Sequence, residues 1–437
     1  MILAVFWFAI QNVNGANAVK AMIGAIWPSF LTQRNSIPAD QGIETNTMIA
    51  YLVFWLVQLP FLYMRPDRVR WLFAAKSVLV PIAWIVILVW AFVAEGKGPI
   101  FEQDASVQGA EYSWVWLASM TSVLGNYATL SVNQVPPLPL SIHGYRKMKL
   151  MNGQSDFSRY SRVSPLWQLL YIPLLPIVFT FISFIGIAAS SAGWSRYSTP
   201  SIPWDPIELI SHWSSRAARF FGASSFALAS LGVNISANSI SAANDLMALF
   251  PAHVDLRRGQ LLCGLLSWAL VPWKILESAG NFLNFMSAYA VFLGPVAAIM
   301  LWDFYWIKKM KYDTVALYQP LSHVYRFNSW LVNWRAVGAF LVGVGPCLPG
   351  LIHSVNEGIA VGVGVHPYQF GWLLGFVGTS FVYVLLSCVF PVKEALVERA
   401  VLADEVYEET SLRVEGVGFD LGEEDLGGDA DVGKEKA

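Results

Sequence analysis

The chain has 437 residues, of which 55% are apolar and 14% aromatic, while only 13% carry a charge. A soluble chain of this length would be roughly a quarter charged, so the composition excludes an ordinary cytosolic enzyme, a nucleic-acid binder and a secreted disulfide scaffold. The three cysteines, Cys263, Cys347 and Cys388, sit in apolar runs at unrelated spacings, which argues against a disulfide framework or a zinc site and leaves a polytopic protein of the lipid bilayer.

Segments long enough to cross about 30 Å of hydrocarbon fall at 1–27, 47–63, 72–94, 113–133, 166–191, 218–249, 260–276, 282–303, 335–355 and 368–390. The first has no basic start, and it places Gln11, Asn12, Asn14 and Asn17 where a signal peptide would be apolar. It therefore reads as a membrane helix. Trp7 and Gln11 lie one turn apart on it, an indole surface beside an amide that both donates and accepts, a pairing that suits a planar heterocycle. The competing reading of Trp7 is an interfacial belt residue. Lys20 reads as a snorkelling side chain rather than a functional charge.

In 113–133, Gly125-Asn126-Tyr127 occupies the middle of the span, and Gly and Asn both weaken a helix interior. A break there would free backbone groups to line a cavity, as in secondary transporters; the alternative is close helix packing at the glycine. In 218–249, Ser230, Asn234, Asn238, Ser241 and Asp245 recur on one helical stripe. Polar groups are costly in lipid, which favours a solute or ion pathway, with interhelical hydrogen bonding as the competing role.

The basic residues alternate from loop to loop. One set carries Arg65, Arg68 and Arg70, the five basic residues between 146 and 162, Arg257 and Arg258, and five more between 308 and 335; the opposite set has only Arg34, Lys97, Arg196, Arg216, Arg219 and Lys274. This bias puts the first set and both termini in the cytoplasm. From 392 onward there are 14 acidic and 5 basic residues, and this stretch reads as a largely disordered acidic cytoplasmic tail after a transmembrane domain at 1–391. No phosphate-binding loop, metal-ligand spacing or intramembrane catalytic constellation is present in the sequence. A catalytic role, a metal and a cofactor are therefore not expected.

Six strings in order carry a resemblance: Trp7-Phe-Ala-Ile-Gln11, Ala25-Ile-Trp-Pro-Ser29, Phe54-Trp-Leu-Val-Gln-Leu-Pro60, Gly125-Asn-Tyr-Ala-Thr129, Ser155-Asp-Phe-Ser-Arg-Tyr160 and Asn234-Ile-Ser-Ala-Asn-Ser-Ile-Ser-Ala-Ala-Asn-Asp245. Together they resemble the nucleobase–cation symporter family 1, in its fungal uracil/allantoin/uridine branch, over residues 1 to about 391. The resemblance implies an all-α, five-plus-five inverted-repeat transporter fold and cation-coupled, alternating-access uptake across the plasma membrane. It also implies a substrate site in which Trp7 stacks on the base, Gln11 hydrogen-bonds it, Tyr127 lies on the other side with Asn126 adjacent, and Asn238 contributes an amide.

Two departures stand out. The family has two helices before the Trp-x-x-x-Gln segment, so the ten spans here correspond to its helices three to twelve, and a truncated gene model that does not transport alone is one expectation. The family also runs directly from Ser131-Val-Asn-Gln134 into Ser155-Asp-Phe-Ser-Arg, whereas 135–154 intervene here. This stretch is compatible with a retained short intron, opening on Val and closing on Gln; the other reading is a real basic loop. At the two positions where sodium-coupled members place hydroxyls, this chain has Gly232 and Val233. Proton coupling is thus expected over sodium, with Asp156 and Asp245 available but neither assigned as carrier. The expected solute is uracil, allantoin, uridine or a related heterocycle; thiamine and nicotinamide-riboside carriers of the same family are the neighbouring alternative.

Overall fold

The computed structural model describes residues 1–64, 68–93, 107–132, 170–197, 202–250, 252–313, 316–318, 324–325, 332–391 and 395–401. The 135–154 stretch, Asp156 and the acidic tail beyond 401 lie outside these residues. Each of the ten expected spans is helical. They are α1 (Ile2–Ile26), α2 (Thr45–Tyr63), α3 (Arg70–Val93), α4 (Gly109–Val132) and α5 (Tyr171–Tyr197). A short α6 (Pro206–Ser211) follows, then α7 (Arg216–Leu249), α8 (Leu256–Ala269), α9 (Ala279–Ile307), α10 (Trp334–Val355), a short α11 (Val365–Gln369) and α12 (Gly371–Val389). Among the described residues, eight of these are long and apolar enough to cross a membrane; α4 and the 14-residue α8 are not among the eight.

The expected span at 260–276 is shorter in the structure. α8 stops at Ala269, Val271 takes a left-handed φ of 47°, and a single 3-10 turn follows at Pro272–Lys274. The cause is Pro272, which lacks an N–H and disfavours helical backbone in the residue before it.

The helices pack as two groups. In one, α1 lies against α2, α7 and α8, and α3 lies against α5 and α7. In the other, α9 is flanked by α4 and α12, and α12 packs on α10. Lipid is as apolar as leucine, so helices in it associate through close backbone approach at small residues. The buried positions of α1 accordingly include Ala9, Gly15, Ala16, Ala18, Gly24 and Ala25, while Leu79, Ile82, Ile85, Val86 and Val89 of α3 are exposed on its outer face.

At the end of α1 that the basic-residue bias assigns to the outside, Lys20 donates to Glu44 Oε2 at 2.8 Å and Thr47 Oγ1 at 2.9 Å. Nearby, a cavity of about 280 Å³ is lined by Asn17, Lys20, Asp205, Glu208 and Arg219, among others. Asp205 caps α6: it accepts from the Ile207 N–H at 2.9 Å and from the Asn17 amide at 3.4 Å. Burial nevertheless holds its carboxyl above the ordinary carboxylate range, opposed by the Ile207 hydrogen bond. An acid held above its unfolded value stabilises the fold at low pH, and that contribution is lost as pH rises from the ordinary value through the raised one. Asp205→Asn keeps a capping acceptor. It should therefore flatten the fall in thermal midpoint expected of the parent, in detergent, as pH rises above the ordinary carboxylate value; an unchanged slope would count against the buried charge.

Candidate functional site

Where the two helix groups meet, aromatic side chains face one another. Phe6 and Trp7 of α1 meet Phe285 and Phe282 of α9, with ring centroids 5.4 and 6.1 Å apart, and Trp204 stacks on Phe282 at 6.3 Å. Phe285 in turn packs edge-on to Tyr289 at 5.2 Å. The Trp7 indole N–H and the Tyr289 hydroxyl are both buried and lie near each other, yet neither meets a protein partner in hydrogen-bonding geometry. Such groups normally find a partner when buried. One turn along α1, the half-buried Gln11 also has no hydrogen-bond partner among the described residues. An N–H, an O–H and a carboxamide thus line an aromatic wall, the first two near each other and none with another partner among the described residues.

Behind this wall lies a closed amide cluster. Asn12, Gln58 and Asn234 are fully buried. The Asn234 amide donates to Phe8 O at 3.2 Å, Asn12 Oδ1 at 3.1 Å and Gln58 Oε1 at 2.9 Å, while the Gln58 amide donates to Asn12 Oδ1. Asn12 continues to Ser267 Oγ at 3.2 Å on α8. Four helices are therefore pinned by side-chain hydrogen bonds worth about 0.6–2 kcal/mol each. Asn238 forms the open edge of the cluster: its Nδ2 donates to Asn234 Oδ1 at 2.8 Å, which fixes the amide plane and leaves its own carbonyl oxygen available.

These observations divide the polar stripe of 218–249. Asn234 is interhelical glue, the competing reading, and Asn238 is the member that donates only within the stripe and keeps its own carbonyl oxygen open. The stripe also does not run straight, because residues Asn234–Ser239 form a π-helical turn. That wider turn advances the residues after it around the axis, so Ser241 and Asp245 do not continue the α-helical line drawn from Ser230. π-turns recur at functional sites because they spoil the regular hydrogen-bond ladder.

The expected break at Gly125-Asn126-Tyr127 is absent: α4 runs unbroken through all three residues. Gly125 serves close packing instead, since a Cβ on it would stand 2.5 Å from the Met286 carbonyl oxygen and 3.3 Å from Ala290 Cβ. A helix held this tightly by its neighbour tolerates poor intrinsic propensity. Tyr127 packs against Phe179 of α5 at 4.6 Å and is hydrogen-bonded to the Asn126 side chain. The structure thus brings Trp7, Gln11 and Asn238 to the α1–α7 side of the junction. Asn126 and Tyr127 lie across it, on the helix packed against α9; no ring contact joins Tyr127 to Trp7 among the described residues.

Sequence reasoning missed Gln58 and Tyr289. The first left a signal, a lone carboxamide inside apolar α2. Tyr289 left none, being one of many aromatic residues in a chain that is rich in them.

Over residues 1–135 and 149–375 the chain matches the family described as permease for cytosine/purines, uracil, thiamine, allantoin. The match is interrupted at 136–148, within the 135–154 stretch. The chain is 34% identical to an uncharacterised permease of Schizosaccharomyces pombe, covering 92% of this chain and 68% of that one. It is 31% identical to the allantoin permease and 32% identical to the uracil permease of Saccharomyces cerevisiae, each alignment covering 90% of this chain. Those two are matched over 60% and 61% of their own length, so the chain spans about three-fifths of them. Among solved structures, the inward-facing conformation of Mhp1 superposes with a TM-score of 0.58 at 18% identity, over 93% of this chain and 76% of Mhp1. A closed conformation of Mhp1, a nucleobase-cation-symport-1 family transporter with bromovinylhydantoin bound, gives 0.54 at 18% identity over 90% and 76%. The expected inverted-repeat transporter fold is the one found.

Proposed function

Because the chain belongs to the family of permeases for cytosine/purines, uracil, thiamine and allantoin, we propose that it imports uracil, allantoin, uridine or a related oxo-heterocycle across the plasma membrane by proton symport, with both termini cytoplasmic. The observation that carries this reading is the junction of the two helix groups, where the buried Trp7 N–H and Tyr289 O–H lie near each other, outside hydrogen-bonding geometry, and have no other partner among the described residues, beside a Gln11 that has none there either. A flat ring bearing alternating N–H and C=O groups matches that set. Its face would lie on Trp7, and its edge would meet Gln11 and the Asn238 carbonyl. Tyr127 and Asn126 would close the opposite side when one helix group moves against the other. The uracil and allantoin permeases among its relatives support the substrate class.

The test is uptake by the full chain in a strain stripped of its own carriers, offered radiolabelled uracil, allantoin, uridine, thiamine and cytosine at several external pH values. Accumulation of one of the first three, increasing as the medium is acidified, is the expected result. Selective thiamine uptake would move the chain to another branch of the family. Absence of uptake for all five, with the protein present at the cell surface, would overturn transport by this chain and leave a non-transporting relative.

A further inference from the structure

α3 carries one charge within its apolar run, Lys76, in the helix's second turn. Val69, just before this helix, and Val80, Ile87 and Ala91 on it are buried, and Phe73 packs into the cluster built on Leu231 and Ile235 of α7. Lys76 falls on that stripe at helical spacing, between Phe73 and Val80. It therefore points into the protein and not to lipid. Gly232 of α7 gives the direction independently: a Cβ there would collide with Lys76 Cδ, so the lysine stem lies across bare α7 backbone.

The ammonium at the end of that stem stands alone. Among the described residues Lys76 has neither an ion pair nor a hydrogen-bond partner, and only burial acts on it. Other cations in the structure are provided for. Lys20 has Glu44 and Thr47, Lys308 has Asp303 at 2.9 Å, and Arg216 has the carbonyls of Ala25 and Ile26. The ionisable groups on the elements around Lys76 lie elsewhere or are already engaged. On α7 they are Arg216 and Arg219 at one end and Asp245 at the other; on α5, Tyr171 at its first position and Arg196 and Tyr197 at its last turn; on α3 itself, Arg70. On α1 there is Lys20, on α2 Tyr51 within the Asn12 network and Tyr63, and on α8 Arg257, Arg258 and the buried Cys263. Lys76 is half-buried, and a partly desolvated cation without a counter-charge is relieved by solvation or by giving up its proton.

The position also touches the candidate solute site. Gly232 accepts from Ser236 Oγ at 2.7 Å, and the π-turn that bears Asn234 and Asn238 begins two residues after it. A change of charge at Lys76 therefore acts on the stretch of α7 that orients the Asn238 amide.

We propose that Lys76 carries the coupling proton. This rests on the symport reading above and names its carrier. Facing outward, the neutral amine takes a proton from external water, the nitrogen lone pair forming the new N–H bond. After the helix groups shift, one N–H bond breaks to cytoplasmic water and the electron pair stays on nitrogen. One proton moves per cycle and nothing is oxidised or reduced.

The test compares Lys76→Arg and Lys76→Met with the parent in the full chain, with all rates normalised to surface protein. Three quantities are read: solute accumulation, solute-induced alkalinisation of the medium, and solute-for-solute counterflow in membrane vesicles. A permanently charged arginine cannot cycle, so Lys76→Arg should keep counterflow while losing both concentrative uptake and alkalinisation. The permanently neutral Lys76→Met should lose them as well. A merely structural cation predicts the opposite for arginine, which would restore accumulation. Proton-linked accumulation at the parent's level in either variant overturns the assignment while leaving symport intact. A parent that transports without moving protons would remove the symport reading and this assignment together.

Discussion

Asn238→Ala should reduce uptake of the preferred solute by roughly a hundredfold while leaving the amount at the cell surface within about twofold of the parent. The Asn238 amide is buried and its plane is set by a 2.8 Å donation to Asn234 Oδ1. Its remaining carbonyl oxygen is thus presented at low entropic cost. Removing it strands a solute N–H in a site of low dielectric, and an unpaired buried polar group costs about 1–3 kcal/mol. The upper end of that range is the expected one here, because Asn238 is only 7% exposed. Gln11→Ala should behave alike, since the Gln11 side chain has no hydrogen-bond partner among the described residues. Asn234→Ala should do something different: it removes three donations at once and leaves the buried Gln58 Oε1 without its donor and Asn238 Nδ2 without its acceptor, so it should lower the thermal midpoint and the surface amount before any question of affinity arises. Parent-like uptake in both Asn238→Ala and Gln11→Ala would refute the site, whatever Asn234→Ala did.

That contrast between two asparagines four residues apart shows where sequence reading stops. Ten helices were legible because hydrocarbon thickness fixes their length and the basic loops between them alternate. Trp7, Gln11 and Asn238 stood out as candidates because lipid penalises polar groups enough to make each one conspicuous. Neither signal says what a polar group faces. Asn234 and Asn238 share one helical line, and only the neighbouring helices decide that the first is saturated by α1 and α2 while the second keeps an open oxygen. The π-turn at Asn234–Ser239 is hidden for the same reason, since a period of 3.6 is assumed whenever a stripe is drawn. Lys76 is the sharpest case. A lysine in the second turn of a membrane helix reads as one that reaches back to the headgroups, and its inward direction emerges only from the α3–α7 contact at Gly232.

Gly125→Ala is expected to destabilise the protein, and its sign separates two accounts of α4. If the glycine is there to weaken the helix, alanine should be tolerated or should stabilise, because it gains up to about 1 kcal/mol of helix propensity over glycine. The structure sets against this a Cβ only 2.5 Å from the Met286 carbonyl oxygen. That oxygen belongs to backbone and cannot rotate away, so α4 and α9 must move apart, at the roughly 1–3 kcal/mol typical of an overpacked core. Overpacking exceeds the propensity gain over most of that range. Moving α9 also shifts Phe285 and Tyr289, which flank Met286 on the side that faces Trp7, so surviving molecules should show a raised KM as well as a lower thermal midpoint. The larger Gly125→Val adds a β-branched side chain at the same contact and should fail to reach the surface. A higher midpoint for Gly125→Ala, with unchanged KM, would mean that the two helices are not held together at this glycine, and that Tyr289 is not positioned through it.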